Sequence, residues 1–244
     1  MVTAATTAAT TTVRFRTAPN AGESSTPLVD ADPDVLVDAH PWREFRWYAG
    51  QKHYSGTYWS ATERRHIIYE SRLELTQLLF ADFDRTVRRI CAQPFMLSCD
   101  SRGRTTRHIP DYLLITDSGP KVIDVKPRRR LSQPEVVDTF AWTRSAIEDR
   151  GWVYEVWTEP EPVLLANIRF LAGFRREAWF TGELLAGLRN CSIDGLSIDS
   201  VLDLSSEWPR PLRRAALFHL LWLQELRVDL RQPLTSSSTL SQEN

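Results

Sequence analysis

Apolar and polar positions change period several times along this chain, and each change marks a different element. From 42 to 59 aromatic residues alternate loosely with polar ones around Ala49-Gly50-Gln51, which predicts a hairpin. Ser60-Ala61-Thr62-Glu63 has the form of a capping box, so a helix is expected from there to about Asp82. Ile67, Ile68, Leu75, Leu78, Leu79 and Phe83 give it an apolar stripe, and Glu70, Glu74 and Gln77 share one flank. Strand patterns follow at 93–97, 107–116 and 121–126. The last two are joined by Asp117-Ser118-Gly119, a hairpin turn expected to pair Thr116 with Pro120. Pro127 ends the third strand by withholding a ladder donor. Pro134 suits the first turn of a helix whose apolar positions Val136, Val137, Phe140, Ala141 and Ile147 run to Gly151, a natural residue just past a helix end. Residues 152–157 read as a fourth strand. The order is helix, three strands, helix, strand.

Beyond Pro162 the pattern turns helical, at 164–176, 181–189, 197–204 and 211–226, with a short strand at 227–231. This predicts a small helical domain over 161–233, of possible winged-helix form. Its last helix is too apolar for a solvent-facing recognition helix, which points to a core or partner-facing role. Residues 1–41 read as a disordered or extended acidic lead, and 234–244 as a disordered tail.

Composition narrows the class. The 244 residues are 42% hydrophobic and 25% charged, ordinary for a folded chain. The longest apolar stretch, 215–223, is broken by His219 and falls short of the ~18 residues of a membrane span. The start has no basic or apolar leader segment, so a cytoplasmic protein is expected. Cys91, Cys99 and Cys191 form no C-x-x-C pair, and no His pair has metal-ligand spacing, so neither disulfides nor zinc are implied. The absence of a glycine-rich phosphate loop argues against ATP use.

The net charge of −1 hides an uneven distribution. Residues 85–130 carry 11 basic and 4 acidic residues, a surplus of +7, while the remaining segments are all acidic in balance. Such a segment suits contact with a phosphate backbone. Inside it stands Pro110-Asp111, followed after twelve residues by Asp124-Val125-Lys126. Side chains alternate along a strand, so Asp124 and Lys126 project to one face and Val125 to the other. The hairpin folds Asp111 back beside them. Two carboxylates and one ammonium thus converge at the open end of one hairpin. Hard divalent cations such as Mg²⁺ take carboxylate oxygens of this kind, together with water and substrate phosphate oxygens. The ammonium would orient a water and offset charge developing on phosphorus oxygens.

At this point the chain resembles the TnsA-type transposon endonuclease subunits of the PD-(D/E)xK nuclease superfamily. The resemblance is carried by Tyr69-Glu70-Ser71-Arg72-Leu73-Glu74-Leu75, by the run from Val87 to Phe95, by Ile109-Pro110-Asp111-Tyr112-Leu113 and by Val122-Ile123-Asp124-Val125-Lys126-Pro127. It implies an α/β (α+β) restriction-endonuclease-like fold with an αβββαβ core over residues 42–160, followed by the helical domain. Its Ser-x-Leu-Glu pattern selects Glu74 as the third acid, with Glu70 an exposed or supporting residue. The implied catalytic set is Glu74, Asp111, Asp124 and Lys126, with Glu74, Asp111, Asp124 and the Val125 carbonyl holding Mg²⁺, or Mn²⁺ in its place. Some relatives carry Gln where Asp124 stands. Arg107, Arg128, Arg129 and Arg130 would steer double-stranded DNA. The family cuts the 5′ strand at transposon ends, beside a DDE-type transposase subunit and an AAA-type ATPase regulator. Two rival readings stay open: a stand-alone restriction or repair nuclease, and a catalytically silent DNA-binding scaffold. His108 is expected to be structural or at the surface. Trp142, Trp152 and Trp157 are expected in the core, while Trp42, Trp47 and Trp59 are candidates for DNA or protein contact.

Overall fold

A computed structural model describes residues 11–43, 54–101, 104–204 and 207–242. They fall into two compact units, one ending at residue 78 and resuming over 86–159, the other built from 79–85 and 160 onward.

The first unit opens with β1 (Thr11–Phe15), β2 (Ser24–Pro27) and a short helix, α1 (Pro33–Val37). This corrects the expectation of a disordered lead. Prolines and acids dominate the composition of this stretch, but, while Val29 and Val35 stay exposed, Val13, Leu28, Ala31, Leu36 and Val37 are buried in the main core. They pack with Phe95, Leu113, Val122, Ile147 and Tyr154. Asp32 caps α1, its side chain accepting from the Asp34 amide at 2.9 Å.

A helix is expected from Ser60, but the chain instead forms β3 (Gly56–Ser60) and β4 (Arg65–Tyr69), an antiparallel pair. The Ser60 hydroxyl does accept from the Glu63 amide at 3.1 Å, though within a turn that carries Arg64 at φ 52°. The β-branched pair Ile67-Ile68 favours the extended backbone that follows. Gly56 faces Tyr69 across the pair, and a Cβ there would sit 2.3 Å from the tyrosine oxygen. The turn of the hairpin expected over 42–59, and Trp47 with it, lie outside the described residues.

Helix α2 (Arg72–Phe83) therefore begins later than expected, behind Ser71. There follow β5 (Val87–Ala92), β6 (Met96–Ser101), β7 (Arg104–His108), β8 (Tyr112–Thr116), β9 (Gly119–Val125), α3 (Pro134–Asp149) and β10 (Val153–Trp157). One mixed sheet has the order β10-β9-β8-β5, with β10 parallel to β9 and the other pairs antiparallel. A second, antiparallel sheet has the order β2-β1-β6-β7. The expected strand at 93–97 is mostly the link from β5 to β6. The expected single strand at 107–116 is two strands in different sheets, divided at Ile109-Pro110-Asp111, where Pro110 supplies no amide hydrogen for a ladder. The core order α2, β5, β8, β9, α3, β10 is the restriction-endonuclease-like αβββαβ arrangement, with the β6–β7 hairpin inserted. Helix α3 ends as predicted, with Gly151 at φ 81° just beyond it.

Register matters for the site. Thr116 pairs with Gly119 rather than Pro120, so the turn is the two-residue Asp117-Ser118 and the pairing lies one residue from expectation. Tyr112 pairs with Ile123, and one further step sets Asp111 opposite Asp124.

The second unit is helical: α4 (Pro162–Leu171), α5 (Gly182–Arg189), α6 (Ile198–Asp203) and α7 (Arg210–Trp222), closed by the two-residue strands β11 (Leu226–Arg227) and β12 (Ser241–Gln242). Glu161, Thr181 and Ser197 cap the first three helices through their side chains. Helix α7 buries Ala216 through Trp222, which assigns it to the core. Residues 234–242 of the tail, expected to be disordered, are held in place. The Leu234 amide donates to Asn167 Oδ1 at 3.3 Å and the Leu240 amide to the Leu196 carbonyl at 2.8 Å. Asn167 donates to the Leu230 and Gln232 carbonyls at 2.8 and 2.7 Å, and Leu240 is buried. A composition rich in Ser and Thr conceals this because backbone hydrogen bonds to residues 195–199 do much of the holding, with Leu240 as a buried side chain. Among the described residues no helix is long and apolar enough to cross a membrane.

Candidate active site

Where the chain leaves β7 for β8 it passes from one sheet to the other, and beside this crossing lies a cleft of about 390 Å³. Its walls include Glu70, Glu74, Asp111, Asp124, Val125 and Lys126, all from the first unit. Asp111 stands immediately before β8. Its Oδ2 accepts from the Val125 amide at 2.6 Å, which ties the carboxylate to the end of β9. Asp124 is buried, and Lys126 lies just past β9 with its ammonium 5.7 Å from the centre of the Phe140 ring. Burial, then the charges of Asp124 and Glu74, push the Asp111 carboxyl well above the usual range, against the Val125 amide and Lys126.

Glu74 reaches the cleft through its own capping box. Ser71 accepts from the Glu74 amide at 3.1 Å and its hydroxyl donates to Glu74 Oε1 at 2.9 Å, while the Glu70 amide donates to Oε2 at 2.7 Å. The Glu74 carboxyl is also raised, by burial first, with those two bonds opposing. Glu70 precedes the helix and is not on the flank expected for it. Its carboxylate accepts from Arg43 at 3.1 Å and from Gln93 Nε2 at 2.7 Å. Gln77, expected beside the two glutamates, is buried in the helix packing.

Sequence reasoning missed three residues. Gln93, at φ 46°, is buried and forms a junction: its amide donates to the Asp111 carbonyl at 2.8 Å, its carbonyl accepts from Trp42 N at 3.0 Å, and its side chain holds Arg43 N and Glu70. His108 lines the cleft with Nε2 2.9 and 2.8 Å from the two oxygens of Asp124. The sequence placed His108 in a structural or surface role without assigning it to this cleft. Tyr154, buried on β10, donates to Asp124 Oδ2 at 2.5 Å. Burial and the Asp124 charge push its hydroxyl above the usual tyrosine range. The sequence carried no signal for Tyr154, which the parallel pairing of β10 with β9 sets beside Val122.

Arg107 lines the cleft, whereas Arg128–Arg130 form an exposed 3₁₀ turn directly after the Lys126-Pro127 pair. Of the tryptophans, Trp152 is buried, Trp142 and Trp157 are half-buried, and Trp42 lies under the Arg16 guanidinium at 4.9 Å. Burial pushes the Cys91 thiol up to about 12, which removes it as a nucleophile. Among the described residues, no three acid, histidine or cysteine side chains are arranged, as they stand, to enclose an ion.

Residues 84–159 match the family model described as TnsA-like endonuclease N terminal. The match supports a TnsA-type nuclease and takes in Asp111, Asp124, Lys126 and His108, while Glu74 precedes it. No curated protein matches this chain.

Proposed function

We propose that this chain, through its TnsA-type nuclease domain, is a Mg²⁺-dependent DNA endonuclease subunit that hydrolyses the 5′ strand at transposon ends. One observation carries the reading: Glu74, Asp111, Asp124 and Lys126, drawn from three separate segments, line one cleft inside that unit. The donor set fits a hard cation in kind. It is all oxygen, three carboxylates and one backbone carbonyl. Burial first, then the like charges of Asp124 and Glu74, raise Asp111, a repulsion that a cation relieves. Glu74, Asp111, Asp124 and the Val125 carbonyl would hold Mg²⁺ or Mn²⁺, which when bound supplies Lewis-acid withdrawal of charge from the phosphate.

The protein's own groups do the rest. The Lys126 ammonium donates to the attacking water and sets its direction, and its charge offsets that gathering on the phosphorus oxygens. The Asp111–Val125 bond holds the end of β9, and with it Lys126, at the cleft. Arg107 and the exposed Arg128–Arg130 turn bind backbone phosphates on either side. In this reading the partners are a DDE-type transposase and an AAA-type ATPase, engaged through surfaces of the helical unit.

Lys126→Ala tests it. Cutting of a transposon-end duplex should fall by about 10²–10⁴-fold, the range for losing one positioned proton donor or charge, with DNA affinity nearly retained. Equal loss of both in a folded variant would refute the assignment. Specific cutting by the purified chain alone would favour a stand-alone nuclease, and no Mg²⁺ uptake with or without DNA would favour a silent scaffold.

A further inference from the structure

The Asp124 carboxylate is contacted from two other strands, β10 and β7. From the core side comes the Tyr154 hydroxyl, on a residue that is buried and does not line the cleft. From the cleft side comes His108, whose Nε2 is almost equidistant from both carboxylate oxygens, at 2.9 and 2.8 Å. The imidazole thus stands on the carboxylate oxygens that a hard cation would take. We propose that His108 is a displaceable plug: its imidazole occupies the cleft-facing side of Asp124, and cation uptake requires it to withdraw. This inference rests on the metal-dependent reading above.

Three further observations bear on it. Asp111, Asp124 and Glu74 share the cleft with His108, so its imidazole stands among the groups that would hold the ion. His108 is the last residue of β7, where it pairs with Leu97 at the end of the ladder, and the Ile109-Pro110 link after it belongs to neither sheet. Its other neighbour is the edge of Phe140, with ring centres 6.2 Å apart, and Phe140 also contacts Tyr154 and lies under the Lys126 ammonium. Withdrawal of the imidazole leaves the Tyr154 bond in place, so Asp124 keeps its orientation while its cleft face is freed. His108 is thus a positioning residue that acts through Asp124.

A permanent support and a plug predict opposite signs. Removing a hydrogen-bonded support from a metal ligand weakens ion binding, typically about 10–100-fold. Removing a plug strengthens it, because the bond that must be broken is gone. The test is calorimetric titration of Mn²⁺ and Mg²⁺ into wild type, His108→Ala, His108→Gln and Tyr154→Phe, with folding checked by circular dichroism. His108→Ala should bind about three- to tenfold more tightly, the equivalent of one net hydrogen bond. His108→Gln, which keeps a donor, should stay closer to wild type, and Tyr154→Phe should bind about tenfold more weakly. Should His108→Ala not fold, His108→Asn, too short to span to Asp124, takes its place with the same expected sign. Unchanged or weaker binding in the variant that removes the contact overturns the plug while leaving the nuclease reading intact. Absence of any cation binding in wild type, with or without DNA, overturns the metal reading and the plug together.

Discussion

Asp111 Oδ2 accepts the amide hydrogen of Val125 at 2.6 Å, a bond that joins the residue before β8 to the last residue of β9. It fixes one acid of the cleft to the backbone that carries Asp124 and Lys126. The spacing of these residues along the hairpin thereby becomes a rigid arrangement, with a buried charge as its cost.

Asp111→Asn should therefore stabilise the protein while removing its activity. The amide oxygen still accepts from Val125, and the raised, repelled carboxylate is gone. A carboxyl whose folded pKa lies above its unfolded value loses stability as pH rises from the ordinary aspartate range to the raised one. The variant should thus match wild type in acid and exceed it at neutral pH by about 0.5–2 kcal/mol. Urea denaturation across pH measures this, and equal stabilities at neutral pH would contradict it.

Gln93 offers a test of the junction beneath Glu70. Gln93→Ala removes the bonds to Arg43 N and Glu70 and leaves a residue with a Cβ at φ 46°. It should lose about 1–3 kcal/mol. Gln93→Gly loses the same bonds without the left-handed penalty and should be the more stable of the two by up to about 1–2 kcal/mol. Chemical denaturation of both variants decides the order.

Arg107 lines the cleft, and Arg129 and Arg130 lie in the exposed turn that follows β9. Their joint replacement by Ala should weaken DNA binding and flatten the dependence of log K on log salt by about 2–3, since each phosphate contact contributes about 0.9. Fluorescence anisotropy over a salt series reads the slope. An unchanged slope removes these arginines from the interface.

In the helical unit, Asn167→Ala should release the tail, because one side chain holds the Leu230 and Gln232 carbonyls and the Leu234 amide. Limited proteolysis should then cut between 230 and 240 several-fold faster than in wild type, with α7 still protected.

The elements most legible in the sequence were those whose signals are local. Pro134 and Gly151 bracket α3, Thr181 and Ser197 cap their helices, and the alternation around Asp124 places Lys126 on its face. A capping box was equally local but occurred twice, at Ser60 and at Ser71. Only the pairing of β4 with β3 made the first a turn and the second a helix start. The apolar residues of 11–41 were too sparse to show a period, and only the core they join revealed them as structure.

The chemical identity of the cleft, with acids and a lysine at set spacings, was determined by the sequence itself, because alternation along a strand and the reach of a hairpin are properties of neighbouring residues. What surrounds those groups was decided by the tertiary structure. Gln93 on the link after β5, His108 on one sheet and Tyr154 on another meet Asp111, Glu70 and Asp124 only because separate strands are brought side by side. No period or motif along the chain encodes such a meeting. Long-range packing sets which donors a carboxylate finds, and therefore what it must give up to act.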